Sequence, residues 1–383
     1  MKSPIIKNKV SPSTDGQLET SVGITANNQE FDPSIPKIAE LKYSVGGGVW
    51  LWRQQPLHET ITIAALIASD MNLDSKTTYD KAIEEHQYDT LEFLRGVLWN
   101  DDPANLLFYN IDDNNFRQGT GRDWYRCYLD SRFPFVECTI NGIIGQRNII
   151  ARSHFGDLQF LHCMADNAGE TPQETQKKVL IWLEIMYKVA IGHISIDTKL
   201  RDVQLPGNND QDRYPLRRLF NNDTIPSDTD TIHTLMTSNH VYRNTKNDRR
   251  ALGSCLHVIQ DSFTRGHCYR AHLPNLKPKR YGDILTYHTY SGQDSHAHEI
   301  YDYNKVPIKD INCANIDGFK DLDGTTDAIY ACTKLINYWM NNTPWEGAVQ
   351  AWLAHDLFRI SPDATPSNMN VESDLQYSLS SRL

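Results

Sequence analysis

The stretch Leu256-His257-Val258-Ile259-Gln260-Asp261-Ser262-Phe263 sets a histidine and an aspartate four residues apart. In a helix, positions i and i+4 share one face, so the imidazole and the carboxylate can grip the same ion. His267 follows six residues after Asp261. A second pair of the same shape lies downstream in His298-Glu299-Ile300-Tyr301-Asp302. Two His-x-x-x-Asp pairs with a histidine between them predict a multi-metal site built on helices.

The rest of the chain agrees with a helical frame. Thr60-Ile61-Thr62-Ile63-Ala64-Ala65-Leu66-Ile67-Ala68, running on from His58, predicts one helix, and Leu91-Glu92-Phe93-Leu94-Arg95-Gly96-Val97-Leu98 another. The clearest helix starts at Thr171, where Thr171 suits the N-cap, Pro172 the first helical position and Glu174 the capping box. Leu180, Leu183, Met186 and Ile194 then recur near helical spacing. Two more helices fit residues 328–335 and 348–357. No internal repeat appears, and no sustained alternation demands a large sheet.

Three stretches read differently. Residues 1–48 form a polar leader ending at Gly46-Gly47-Gly48, before the chain turns apolar at Val49-Trp50-Leu51-Trp52. Residues 49–360 form the helical domain, with a polar insertion at about 200–247 that carries Pro206 and Pro226. Residues 361–383 read as a loose polar tail. The Gly46–Gly48 run is a hinge or a processing site and not a phosphate loop, because the Lys and the helix that should follow are missing.

A hydrophobic share of 39% in 383 residues suffices for one large core or two modest domains. The formal net charge of -10 argues against a general nucleic-acid binder, so no stable nucleic-acid complex is expected. None of the seven cysteines forms C-x-x-C, and their odd count does not read as a disulfide framework, although one or two bridges fit an exported protein. The histidines concentrate between His233 and His298, which favours a borderline metal such as zinc. The N-terminus lacks the apolar run of a signal peptide, and no stretch approaches a membrane span. The expectation is a protein secreted by a signal-independent route, or otherwise a cytoplasmic one.

Histidine and aspartate are the ligands expected for zinc where cysteine is absent, with about three protein ligands per catalytic ion. The candidate ligands are His58, Asp101, His154, His257, Asp261, His267, His298 and Asp302, enough for two or three ions. Asp102 competes with Asp101, and His288 and His296 compete with His298. His162 and His193 read as core histidines, whereas His86, His233, His240, His272 and His355 read as surface residues. Arg152, Arg265 and Arg270 are candidates for a phosphate oxygen or for structural ion pairs. Tyr109, Phe155, Phe160 and Phe263 are candidates for an apolar pocket.

This ordered set resembles the zinc-dependent phospholipase C family and its relatives, the zinc-dependent single-strand nucleases. The resemblance spans roughly residues 50 to 305. Trp99-Asn100-Asp101 looks like the nucleases' Trp-Ala-Asp. The wording of Ser153-His154-Phe155-Gly156-Asp157-Leu158-Gln159-Phe160-Leu161-His162 and of Trp99-Asn100-Asp101-Asp102-Pro103 is closest to a bacterial subgroup of zinc metallophospholipases C. The resemblance implies an all-α globule holding up to three zinc ions. Asp261 would bridge two of them, and Asp101 would be both ligand and general base. It implies hydrolysis of the glycerol-side phosphodiester of a phospholipid, met transiently at a membrane surface, with a secreted effector as the setting. The family's terminal Trp ligates through its free amino group, but Trp50 and Trp52 are internal here, so the leader must be cleaved or this Trp does not ligate. The alternatives are a zinc nuclease and a non-catalytic, metal-stabilised helical module that binds a protein partner.

Overall fold

In the computed structural model the described residues are 56–85, 87–103, 149–203, 231–237, 245–273, 280–290, 308 and 311–368. The fold is mostly helical, as expected, with one small hairpin. The helices are α1 (Leu57–Ala68), α2 (Tyr79–Glu84), α3 (Tyr88–Leu98), α4 (Ile149–Phe155), α5 (Pro172–Ala190), α6 (Ile232–Thr237) and α7 (Asn247–Asp261). The hairpin strands β1 (Cys268–Leu273) and β2 (Arg280–Tyr287) follow, and then α8 (Thr325–Met340). Residues 345–357 wind on in short α- and π-helical turns.

Helix α7 is the axis of the molecule, packed against α3, α5, α8 and α1. Its closest neighbour is α3, because both helices lack a side chain where they meet. A Cβ at Gly96 would lie 2.3 Å from the Arg250 carbonyl oxygen, and one at Gly253 would lie 2.5 Å from that of Phe93. Beside this contact Glu92 is buried and accepts from Arg250 Nε at 2.6 Å and from Arg95 Nη1 at 2.6 Å. Burial alone would raise the Glu92 carboxyl, but Arg250 and Arg95 bring it down to about 2.

The capping box of α5 is present on both sides. Thr171 Oγ1 accepts from Glu174 N at 3.3 Å, and Glu174 Oε2 accepts from Thr171 N at 2.9 Å. Leu183 and Met186 are fully buried, whereas α5 ends at Ala190, so Ile194 lies beyond it. Gly192, at φ 74°, takes the left-handed turn that stops the helix.

The hairpin is a departure from the all-α expectation. Its pairing is irregular, with register shifts on both sides of Arg270, and its inward positions include Arg270 and Thr286. No apolar alternation announces it. The chain after Ile360 is also tied down through Asn368. Ser361 N donates to Ile284 O at 2.9 Å, Thr365 N to Leu285 O at 2.8 Å, and Ser367 N to Glu170 O at 2.8 Å. Within the expected insertion, residues 232–237 form α6, buried against α7. The leader, residues 204–230 and 238–244 of the insertion, and residues 369–383 lie outside the described residues. Among the described residues no helix is long and apolar enough to cross a membrane.

Candidate metal centre

Asp261 ends α7, and its carboxylate is the meeting point of four imidazoles. Oδ2 lies 2.9 Å from His257 Nε2, 3.1 Å from His162 Nδ1 and 3.4 Å from His267 Nδ1. Oδ1 lies 3.5 Å from His58 Nε2. His58 comes from α1, His162 from the 3-10 turn Gln159–His162, and His267 from the tight turn after α7. Asp101 enters from the turn that closes α3, with Oδ1 3.8 Å from His162 Nδ1 and Oδ2 4.0 Å from His257 Nδ1.

A polar chain fixes Asp101 in place. Trp182 Nε1 donates to Ser254 Oγ at 3.0 Å, Ser254 Oγ donates to Asn100 Oδ1 at 2.6 Å, and Asn100 Nδ2 donates to Leu161 O at 2.6 Å. Asn100 thus joins α7, one turn ahead of His257, to the residue preceding His162. Trp99 stacks on Trp182 at 5.4 Å and donates to Leu235 O at 2.9 Å. The turn bearing Asp101 is held on three sides.

Three of the imidazoles are oriented through Nδ1. His257 Nδ1 is 2.7 Å from Val97 O, His58 Nδ1 is 2.7 Å from Gln260 Oε1, and His267 Nδ1 is 2.8 Å from His162 O. For His257 and His58 the acceptor assigns the proton to Nδ1 and leaves the Nε2 that faces Asp261 with its lone pair, the arrangement in which outer partners hold metal-binding histidines, whereas His267 turns Nδ1 toward both the His162 carbonyl oxygen and Asp261.

Burial pushes His58 and His162 down to about 4, with the neighbouring His257 imidazole adding to the shift, so both are neutral near pH 7. Burial also opposes charge on His257, but Asp261 and Asp101 outweigh it and raise its pKa. Burial alone would raise Asp261; the His257 and His267 imidazoles hold it well below the usual carboxylate range. Asp101 moves the other way, driven well above that range by burial, against the pull of His257.

Three overlapping sets have one ligand atom per residue, all within 4.8 Å of one another: His58, His257 and Asp261; Asp101, His162 and His257; His162, Asp261 and His267. The tightest triangle, His257 Nε2, His162 Nδ1 and Asp261 Oδ2, has edges of 2.9, 3.0 and 3.1 Å. Ligand atoms of a tetrahedral zinc ion with bonds of about 2.0–2.1 Å stand about 3.3 Å apart. His162 Nε2 is buried with no hydrogen-bond partner. Lone pairs crowded this closely in a dry interior fit a divalent cation, and the shared residues allow more than one ion.

Five of the expected residues therefore converge: His58, Asp101, His257, Asp261 and His267. Asp101, not Asp102, belongs to the sets. His154 is buried beside them, its ring 4.7 Å from that of His162 and its Nδ1 2.7 Å from Ile150 O, but it belongs to none of the three. His298, Asp302, His296 and Tyr109 lie outside the described residues.

Several side-chain expectations are corrected. His162, expected in the core, is a member of two sets, because the 3-10 turn aims it at α7. His193 is exposed in the turn after α5, whereas His233, expected at the surface, is buried against Asn247 Nδ2 at 2.7 Å. His288 is buried, with Nδ1 2.9 Å from Asn368 Oδ1. The three arginines have structural partners: Arg152 pairs with Asp157 at 2.7 Å and Arg265 with Asp323 at 2.9 Å. Arg270 donates to Ser262 O at 2.6 Å and Leu357 O at 2.7 Å. Phe160 is core, Phe263 lies under the Arg270 guanidinium at 4.6 Å, and half-buried Phe155 packs on Tyr290.

Sequence reading also passed over Glu59. It is fully buried beside His58, and burial raises its carboxyl to about 7. The signal was visible: an acid leading the apolar run of α1. Comparisons with protein-family models, with curated proteins and with solved structures find no match for this chain.

Proposed function

We propose that the protein is a zinc-dependent phosphodiesterase of the phospholipase C type, cleaving the glycerol-side phosphodiester of a phospholipid. The observation that carries this reading is the meeting of four imidazoles and Asp101 around Asp261, from five separate segments, with His162 standing where the resemblance put His154. His58, His162, His257 and His267, with Asp101 and Asp261, would hold the ions. Zinc supplies Lewis-acid activation of water near neutral pH and neutralises charge on the phosphate oxygens.

The chain's own groups do the rest. Val97, Gln260 and the His162 carbonyl oxygen fix the imidazole tautomers. Asn100 holds Asp101 against α7. Asp101, placed in the sets with His162 and His257, would take the proton of the attacking water. The products are diacylglycerol and a phosphorylated head group, formed at a membrane surface the enzyme meets transiently.

The test is incubation with zinc on vesicles of phosphatidylcholine and of phosphatidylglycerol, and on single-stranded DNA. Diacylglycerol release that disappears in Asp101→Asn and His257→Ala is the predicted result. Nucleotide release instead would transfer the site to nuclease chemistry, and no turnover on any substrate would overturn the enzyme reading.

A further inference from the structure

His58 is the most loosely held imidazole of the cluster. Its side chain is 13% exposed, against 0% for His257, 3% for His162 and 6% for His267. Its Nε2 stands 3.5 Å from Asp261 Oδ1, and the nitrogens of the other three imidazoles stand closer to that carboxylate. The His257 ring stacks on it at 4.3 Å, which constrains the plane of the ring but not its proton. That proton is assigned by Gln260 Oε1, 2.7 Å from Nδ1.

An amide can do this in one orientation only, because one end accepts and the other donates. Gln260 is buried, and so are the two groups at its other end. Nε2 donates to Thr62 Oγ1 at 2.9 Å and to Cys332 Sγ at 3.9 Å. Thr62 belongs to α1 and Cys332 to α8. The Cys332 thiol gives its one hydrogen to the Leu256 carbonyl oxygen at 3.8 Å, so it meets the amide only as an acceptor. With the amide turned over, its oxygen would face the sulfur lone pairs and its N–H groups would face His58 Nδ1. The His58 proton would then sit on Nε2, where it bars a cation. We propose that Gln260 is the positioning residue that decides whether His58 is a ligand. Thr62 and Cys332, by fixing the amide, then set the occupancy of the His58–His257–Asp261 set. This rests on the metal reading of the site.

Gln260→Met keeps the length of the side chain and removes the acceptor. Gln260→Glu keeps an oxygen for His58, and the Thr62 hydroxyl can turn its own hydrogen to the other oxygen. Wild type and both variants, stripped with EDTA, are titrated with zinc chloride by calorimetry and melted without zinc. The imidazole tautomers of the metal-free proteins are read by NMR after isotope labelling of histidine, with His58 identified by its absence from His58→Asn. Gln260→Met should lose about 10- to 100-fold in zinc affinity at one site, and its His58 proton should no longer be held on Nδ1. Gln260→Glu should bind zinc at least as tightly as wild type, although the buried charge lowers its metal-free melting midpoint. A merely structural Gln260 would move zinc affinity in step with stability. Unchanged zinc binding by Gln260→Met would overturn this inference alone, as would weaker binding by Gln260→Glu than by Gln260→Met. A wild type that binds no zinc would overturn the metal reading and the inference with it. If Gln260→Met does not fold, the wild-type spectrum decides: His58 protonated on Nδ1 supports the proposal, and His58 protonated on Nε2 overturns it.

Discussion

Gly253→Ala tests whether the close crossing of α3 and α7 is what assembles the site. The added methyl would sit 2.5 Å from the Phe93 carbonyl oxygen and 2.7 Å from Gly96 Cα, both backbone atoms that no rotamer change can move. Ordinary carbon contacts begin near 3.4 Å, so the helices must part by about 0.9 Å. Overpacking in a close-packed interior costs about 1–3 kcal/mol, and a clash with backbone belongs at the upper end, about 3 kcal/mol. In a chain of this length that lowers the melting midpoint by roughly 4 °C. The same movement carries Asp101, now 4.0 Å from His257 Nδ1, out to about 5 Å and opens the Asp101–His162–His257 set. The assays are a melt in EDTA and a zinc titration. Both stability and zinc affinity should fall together. A variant with an unchanged midpoint and unchanged zinc binding would refute the reasoning, because the helices would then not meet at this glycine.

Three more predictions follow from individual groups. Asn100→Ala strands Ser254 Oγ and the Leu161 carbonyl oxygen in the core, so unfolding in urea should show a loss of about 2–4 kcal/mol, and zinc affinity should drop because both Asp101 and His162 lose their anchor. Glu92→Gln removes a carboxyl held at about 2 against 4.5 unfolded, so the wild type should be about 3 kcal/mol more stable at pH 7. That advantage is full above the unfolded value and is lost as pH falls through about 2; paired urea melts at pH 7 and near pH 2 measure it, and a pH-independent difference would contradict it. Asp101 lies well above its ordinary range before a cation arrives and must be ionised afterwards. The ligands of the centre must be deprotonated to hold a cation, so zinc affinity should weaken on acidification, read from calorimetric titrations at stepped pH; an affinity that does not change with pH would contradict this.

How much of this was legible depended on whether the signal was local. The capping box at Thr171 and Glu174 and the i, i+4 pair at His257 and Asp261 are complete within one helical turn, and both appear in the structure as read. His162 was not legible because Gln159-Phe160-Leu161-His162 looks like a core run; only a 3-10 turn closed by Cys163 in the left-handed conformation aims the ring at Asp261. The hairpin was hidden because its inward slot at Arg270 holds a guanidinium, satisfied by the Ser262 and Leu357 carbonyl oxygens that come from elsewhere in the chain. The role of Asn100 depends on partners at positions 161 and 254, which no local pattern reveals. Gly96 and Gly253 look like weak points in their helices until the helices are packed together.

The most direct measurement is an anomalous difference map at the zinc edge, from crystals grown with zinc. The account predicts at least one peak at zinc bond length, about 2.0–2.2 Å, from an Asp261 carboxylate oxygen and His257 Nε2. A map in which every zinc lies beyond reach of Asp261 would contradict it.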